Sequence, residues 1–241
     1  MNTHRTCIIC LPRSGSQLCE KLVAQVTFTH WHLGEYFENW NQSEYVLAVN
    51  NKLYLKKFNQ QPSGLMIREN YKEYISLLKK ADSTQSLVLR LFLIDYYDKD
   101  ILIEIITDLK NLGFEFLALH RDIKDQLISY MIALTYKMSK NKDVFSINRI
   151  IDEPVNIDLD SLSVILDILV TSSKNWGNNL STVLKNVEYK NIKYENIYQD
   201  IENHFNSKIT YKGLKSIKGD PLDLILNKKE VIDYLSSRGI S

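Results

Sequence analysis

The chain has 241 residues, 44% of them hydrophobic and 24% charged, which is enough for one domain with a full apolar core. A net charge of +1 excludes the overall field that marks nucleic-acid or membrane-surface binders, so any anion recognition must come from a local site. No stretch is apolar for long enough to span a membrane and no secretory signal is legible, so the expected location is cytoplasmic.

Thr6 to Leu11 (TCIICL) is a short apolar run stopped by Pro12 and Gly15, the pattern of a strand buried on both faces. Cys7 and Cys10 form a C-x-x-C within it. With Ile8 and Ile9 between them and no second Cys/His pair at ligand spacing, they are expected to be buried small residues, as is Cys19. From Ser16 to Thr27, Leu18, Leu22, Val23 and Val26 recur at helical spacing. Ser86 to Ile94 (SLVLRLFLI) is a second buried strand. A helix is expected over Asp100–Leu112, with Asp100 as its N-cap and Gly113 at its stop. Phe114–Leu119 is a third strand, followed by a long helix from Asp122 to about Met138. Ser139 to Asp158 is polar and contains Pro154, which predicts a surface loop. Helical periodicity returns over Leu159–Lys185, with Gly177 as the expected interruption. A short strand at Glu188–Tyr194, a helix at Ile197–Phe205, a Lys/Gly loop at Lys212–Gly219 and a final helix at Lys228–Leu235 complete the chain.

Strands alternating with helices predict a single α/β domain, residues 1–241, with a mostly parallel sheet flanked by helices. Such sheets bind ligands beyond the carboxyl ends of their strands. The first strand ends in Pro12-Arg13-Ser14-Gly15-Ser16-Gln17. Gly15 permits a tight turn and close approach to a ligand, and the amides from Ser14 to Leu18 at the helix start suit an anion. Arg13 adds a permanent charge and Ser16 a hydroxyl. The common nucleotide loop G-x-x-x-x-G-K-[ST] is absent, which argues against an ATPase, GTPase or kinase. The third strand ends in His120-Arg121-Asp122, with Asp125 and Ser129 along the next helix. Asp122 and Asp125 suit an N-cap and a first-turn acid, while Arg121 and Ser129 suit a second phosphate.

A strand ending in P-R-S-G-S before a helix resembles the 5′-phosphosulfate loop of sulfotransferases that use 3′-phosphoadenosine 5′-phosphosulfate (PAPS). A strand ending in R-D-x-x-D-x-x-x-S, about a hundred residues later, resembles their 3′-phosphate motif. Tyr194-Glu195-Asn196-Ile197 is similar to their later Y-E-[DN]-L, and Lys215–Gly219 to a C-terminal loop closing on the 3′-phosphate. The R-S-G-S form is nearer the carbohydrate-type branch, and residues 40–85 and 139–160 have no counterpart. The resemblance implies a P-loop-NTPase-like sulfotransferase architecture and in-line transfer of a sulfuryl group from PAPS to a hydroxyl, leaving PAP, with no metal. It implies Arg13, Ser14, Gly15, Ser16 and Gln17 at the 5′-phosphosulfate, and Arg121, Ser129, Lys218 and Gly219 at the 3′-phosphate.

The acceptor needs a base. Glu35, in a Gly34-Glu35-Tyr36-Phe37 segment similar to one carrying the proposed base in some carbohydrate-type relatives, is the first candidate, with His32 and His30 next. Trp31, Trp40, Tyr36 and Tyr45 are either core or a stacking surface for a sugar or aromatic acceptor. Arg90, inside an apolar strand, needs an anionic partner; it either faces the transferring group or pairs with Asp95 or Glu104. The expected partner is a carbohydrate or small-molecule acceptor, with no nucleic acid and no membrane span. The alternatives are another nucleotide-dependent, phosphotransferase-like enzyme and a non-catalytic nucleotide-binding relative.

Overall fold

The computed structural model describes residues 3–29, 31–32, 44–49, 52–57, 71–72, 75–76, 78–80, 86–94, 98–140, 153–211 and 220–240. Seven strands are described: β1 (Arg5–Cys10), β2 (Trp31–His32), β3 (Glu44–Val49), β4 (Lys52–Lys57), β5 (Leu87–Phe92), β6 (Glu115–His120) and β7 (Tyr189–Lys193). The helices described in full are α1 (Ser16–Val26), α2 (Lys99–Asn111), α3 (Ile123–Lys140), α4 (Leu159–Lys174), α5 (Trp176–Val183), α6 (Ile197–Phe205) and α7 (Lys228–Ser237). The fold is α/β, as the alternation predicts.

The main sheet runs β2-β5-β1-β6-β7 with every neighbouring pair parallel. β1 and β5 are apolar along nearly their whole length because both faces are covered. Cys7, Ile8 and Cys10 are fully buried, and so are Val88 and Leu89 of β5. The chain leaves β1 towards the β5–β2 side and leaves β6 towards β7, so connections diverge between the carboxyl ends of β1 and β6. That divergence makes a crevice at the sheet end. The right-handed rule for parallel crossovers sets α1 and α2, whose connections run in opposite directions, on opposite faces. α1 packs on α6, and α2 packs on α5.

One apolar cluster surrounds the sheet, drawing Leu22 and Val23 from α1, Ile105 and Leu109 from α2 and Ile201 from α6. A second joins α3, α4, the turn at Pro221–Leu224 and α7 through residues such as Met131, Leu166, Leu224 and Val231.

Several boundaries differ from expectation. The cap of α2 is Asp98, whose carboxylate accepts from the amides of Asp100 and Ile101; Asp100 lies in the first turn instead. Gly113, at φ 79°, does close that helix. The long helix breaks at Asn175, not at Gly177, which sits in the first turn of α5. Residues 153–158 are not simply a surface loop: Val155 and Ile157 are buried, and Val155 forms a parallel bridge with Ile225. The antiparallel hairpin β3–β4 was not anticipated, although the apolar runs flanking Asn50-Asn51 carry its signal.

Candidate anion-binding site

The β1–α1 turn has two residues in left-handed backbone, Arg13 at φ 63° and Gly15 at φ 90°. Gly15 caps α1 through its backbone alone, with no side-chain cap and no acidic residue in the first turn. An uncapped helix start leaves amides free of side-chain competition and presents the positive end of the helix dipole. The Ser14 amide is not part of this set, because it donates to the Leu11 carbonyl at 3.2 Å. Gly15 is required for a second reason: a Cβ there would collide with the ring of Tyr194.

The second segment converges on the first. Arg13 Nε and Nη2 donate to Ser129 Oγ at 3.3 and 3.2 Å. Arg121 Nη1 donates to the Arg13 carbonyl at 3.4 Å, and its guanidinium lies 4.4 Å from the centre of the Tyr194 ring. Gln126, buried in the first turn of α3, donates from Nε2 to the Pro12 carbonyl at 2.5 Å. Asp122 caps α3 by accepting from the Asp125 amide at 3.1 Å, and its own amide donates to Glu195 Oε1 at 3.3 Å. Asp122 and Asp125 thus have the structural roles their positions predict, and Glu195 accepts from the capping residue. Arg13, expected beside the helix amides, instead directs its guanidinium to Ser129.

Two guanidinium groups are therefore held next to each other at the sheet's crevice. Burial, reinforced by the Arg121 charge, lowers the Arg13 pKa to about 10. An anion placed between them offsets that cost. Burial raises the phenol of neighbouring Tyr130 to about 12 against the pull of Arg13, so it stays a neutral donor at physiological pH.

Behind the loop, Arg90 is buried and its Nε lies 2.8 Å from Glu20 Oε2, with Nη1 donating to Ser16 Oγ at 3.2 Å. Its partner is thus Glu20 of α1, and Glu104 instead accepts from Tyr71. Asp95 lies outside the described residues. Arginine has only donors, so Ser16 Oγ accepts from it and keeps its own proton for another acceptor. A loop-bound anion is such an acceptor.

Of the remaining candidates, Gln17 lies in the first turn of α1. His32 is in β2 at the sheet edge, opposite Val88 of β5, with its backbone alone described. Glu35, His30, Tyr36, Trp40, Lys218 and Gly219 lie outside the described residues, as does the loop from Lys212 to Gly219. Cys7, Cys10 and Cys19 are buried and in no disulfide, and burial raises the pKa of Cys7 and Cys19. Among the described residues, no group of three or more His, Cys, Asp or Glu side chains is placed to hold a metal, and no helix is long and apolar enough to cross a membrane.

Sequence reasoning missed Tyr194 as a contact of both Arg121 and Gly15, and it missed Glu20 and Gln126. Glu20 had a signal: it is a carboxylate beside Cys19 on the apolar stripe of α1, matching the cation stranded in β5. No protein-family model matches the chain, and no curated protein matches it.

Proposed function

We propose that this protein is a PAPS-dependent sulfotransferase of P-loop-like architecture, acting on a hydroxyl of a carbohydrate or small-molecule acceptor. The observation that carries the reading is the meeting of three distant segments at one crevice. The Pro12–Ser16 turn, the Arg121–Ser129 segment and Tyr194–Glu195 touch through Arg13, Arg121, Tyr194 and Asp122. These are the segments whose sequences resemble the family's donor motifs, and they have two cationic side chains and an uncapped helix start between them.

In this reading the α1 amides and Ser16 hold the 5′-phosphate, where charge grows as the sulfuryl group leaves. Arg13 moves from Ser129 to that charge when the donor enters, and Ser129 and Arg121 then take the 3′-phosphate. The resemblance assigns Lys218 and Gly219 to the same phosphate. The sulfur–oxygen bond to the 5′-phosphate breaks as the bond to the acceptor oxygen forms, and Glu35, or else His32, removes the acceptor proton. Positioning and electrostatics supply the catalysis.

The test is consumption of PAPS in the presence of simple saccharides and phenols, followed as PAP formation in chelator. The reading predicts acceptor-dependent PAP formation. It further predicts a fall of about a hundredfold in Arg13→Ala, and in Glu35→Gln with PAP affinity unchanged. Turnover of ATP with magnesium, and none of PAPS, would favour the phosphotransferase alternative.

A further inference from the structure

Between the carboxyl ends of β1 and β6, the start of α3 and the α4–α5 junction lies a cavity of about 60 Å³. Ser14, Arg121 and Ser173 line it, with His120, Gln126 and Trp176. Ser14 Oγ, Arg121 Nε and Ser173 Oγ are each buried without a hydrogen-bond partner among the described residues. Ser14 is only 1% exposed. A buried polar atom without a partner is costly and uncommon, so three around one space point to a partner held in that space.

The chemistry of that partner follows from the donor set. Arg121 Nε can only donate and both hydroxyls can donate, while no carboxylate lines the cavity. Arg121 is fixed by its bond to the Arg13 carbonyl and by Tyr194, which leaves the Nε edge for this space. The volume is roughly four times the ~15 Å³ that one water needs, room for a group of five heavy atoms. We propose that the cavity is a seat for one tetrahedral oxyanion, a phosphate or sulfate group bound by Arg121 Nε, Ser14 Oγ and Ser173 Oγ. The seat shares Arg121 with the donor site above but does not depend on the donor being PAPS. Its anion is either free in solution or the phosphate monoester of a nucleotide.

Trp176 in the wall provides a local signal. Sodium phosphate is titrated into the full chain at constant ionic strength while tryptophan fluorescence is followed, with Trp176→Phe assigning the signal. The expected result is a saturable change that needs Trp176 and an affinity about tenfold weaker in Ser173→Ala, as expected for a lost hydrogen bond to a charged group. Ser173→Thr, which keeps the hydroxyl, should retain the affinity and guards against a folding artefact. No saturable response in the wild type would mean that water alone fills the cavity, and equal affinity in Ser173→Ala would mean that phosphate binds elsewhere; either result would overturn the proposal. Given binding, competition by PAP but not AMP assigns the seat to a 3′-phosphate. Competition by both assigns it to a 5′-phosphate, and by neither to a free anion. Failure of PAP to bind anywhere, with phosphate still bound, would sink the donor reading and leave the seat standing.

Discussion

At Gly15 two independent demands fall on one residue: a φ of 90°, and no room for a Cβ beside Tyr194. Gly15→Ala should therefore cost about 1–3 kcal/mol in urea denaturation and also disrupt nucleotide binding. Gly113→Ala, at φ 79° with nothing near its would-be Cβ, should cost about 1 kcal/mol and leave binding alone. The first demand was legible in P-R-S-G-S. The second was not, because the ring that imposes it comes from the far end of the chain. Arg90 shows the same limit from the other side. Its need for an anion was legible from its place in an apolar strand, but choosing Glu20 over Asp95 or Glu104 requires knowing which helix crosses β5. Glu20→Ala should destabilise the fold by about 3–5 kcal/mol, since it strands a buried guanidinium. Arg90→Met with Glu20→Leu should restore most of that loss in denaturation, yet bind nucleotide poorly because Ser16 is no longer oriented.

Among the elements, the helices were read best because their apolar stripes and stops are local. Leu102, Ile105, Ile106 and Leu109 face the core of α2 at the expected spacing, and Gly113 ends it. The cap was misplaced by two residues because Asp98 and Asp100 are both competent and only the backbone decides between them. Asp98→Ala should cost about 1 kcal/mol in thermal or urea unfolding and leave the anion site unaffected. Asp122→Ala should cost a similar amount and weaken ligand binding too, since that cap starts the helix carrying Ser129 and ties to Glu195. Hairpin β3–β4 escaped because its apolar runs, Tyr45–Val49 and Leu53–Leu55, are short and lack the strict alternation of a half-buried strand, and the two-residue β2 has no period to read.

On the scale of the whole molecule, parallel order and the crevice between β1 and β6 were legible from alternation and from where the anion-binding residues fall. The second apolar cluster, and the cavity reached from the α4–α5 junction, depend on packing between segments far apart in the chain. One carboxylate joins distant layers. Glu115 of β6 accepts from Thr6 of β1 and lies 3.1 Å from His204 of α6. Burial pushes its pKa up, but hydrogen bonds from His204 and Thr6, and the nearby histidine charges, outweigh this and hold it below the ordinary value. A depressed carboxylate stabilises the fold fully above its unfolded pKa and loses that contribution as pH falls through the folded one. Urea midpoints should therefore drop from about pH 5 to pH 3, and Glu115→Gln should flatten that slope.

The proposed donor site is tested most directly by calorimetric titration of the purified protein with PAP, beside AMP and ATP with magnesium, repeated in Arg121→Ala. PAP should bind at least tenfold more tightly than either competitor, and the preference should fall by about that factor in the variant. Equal affinity for PAP and AMP in the wild type, or a preference for ATP with magnesium, would contradict the assignment of this crevice to a PAPS donor.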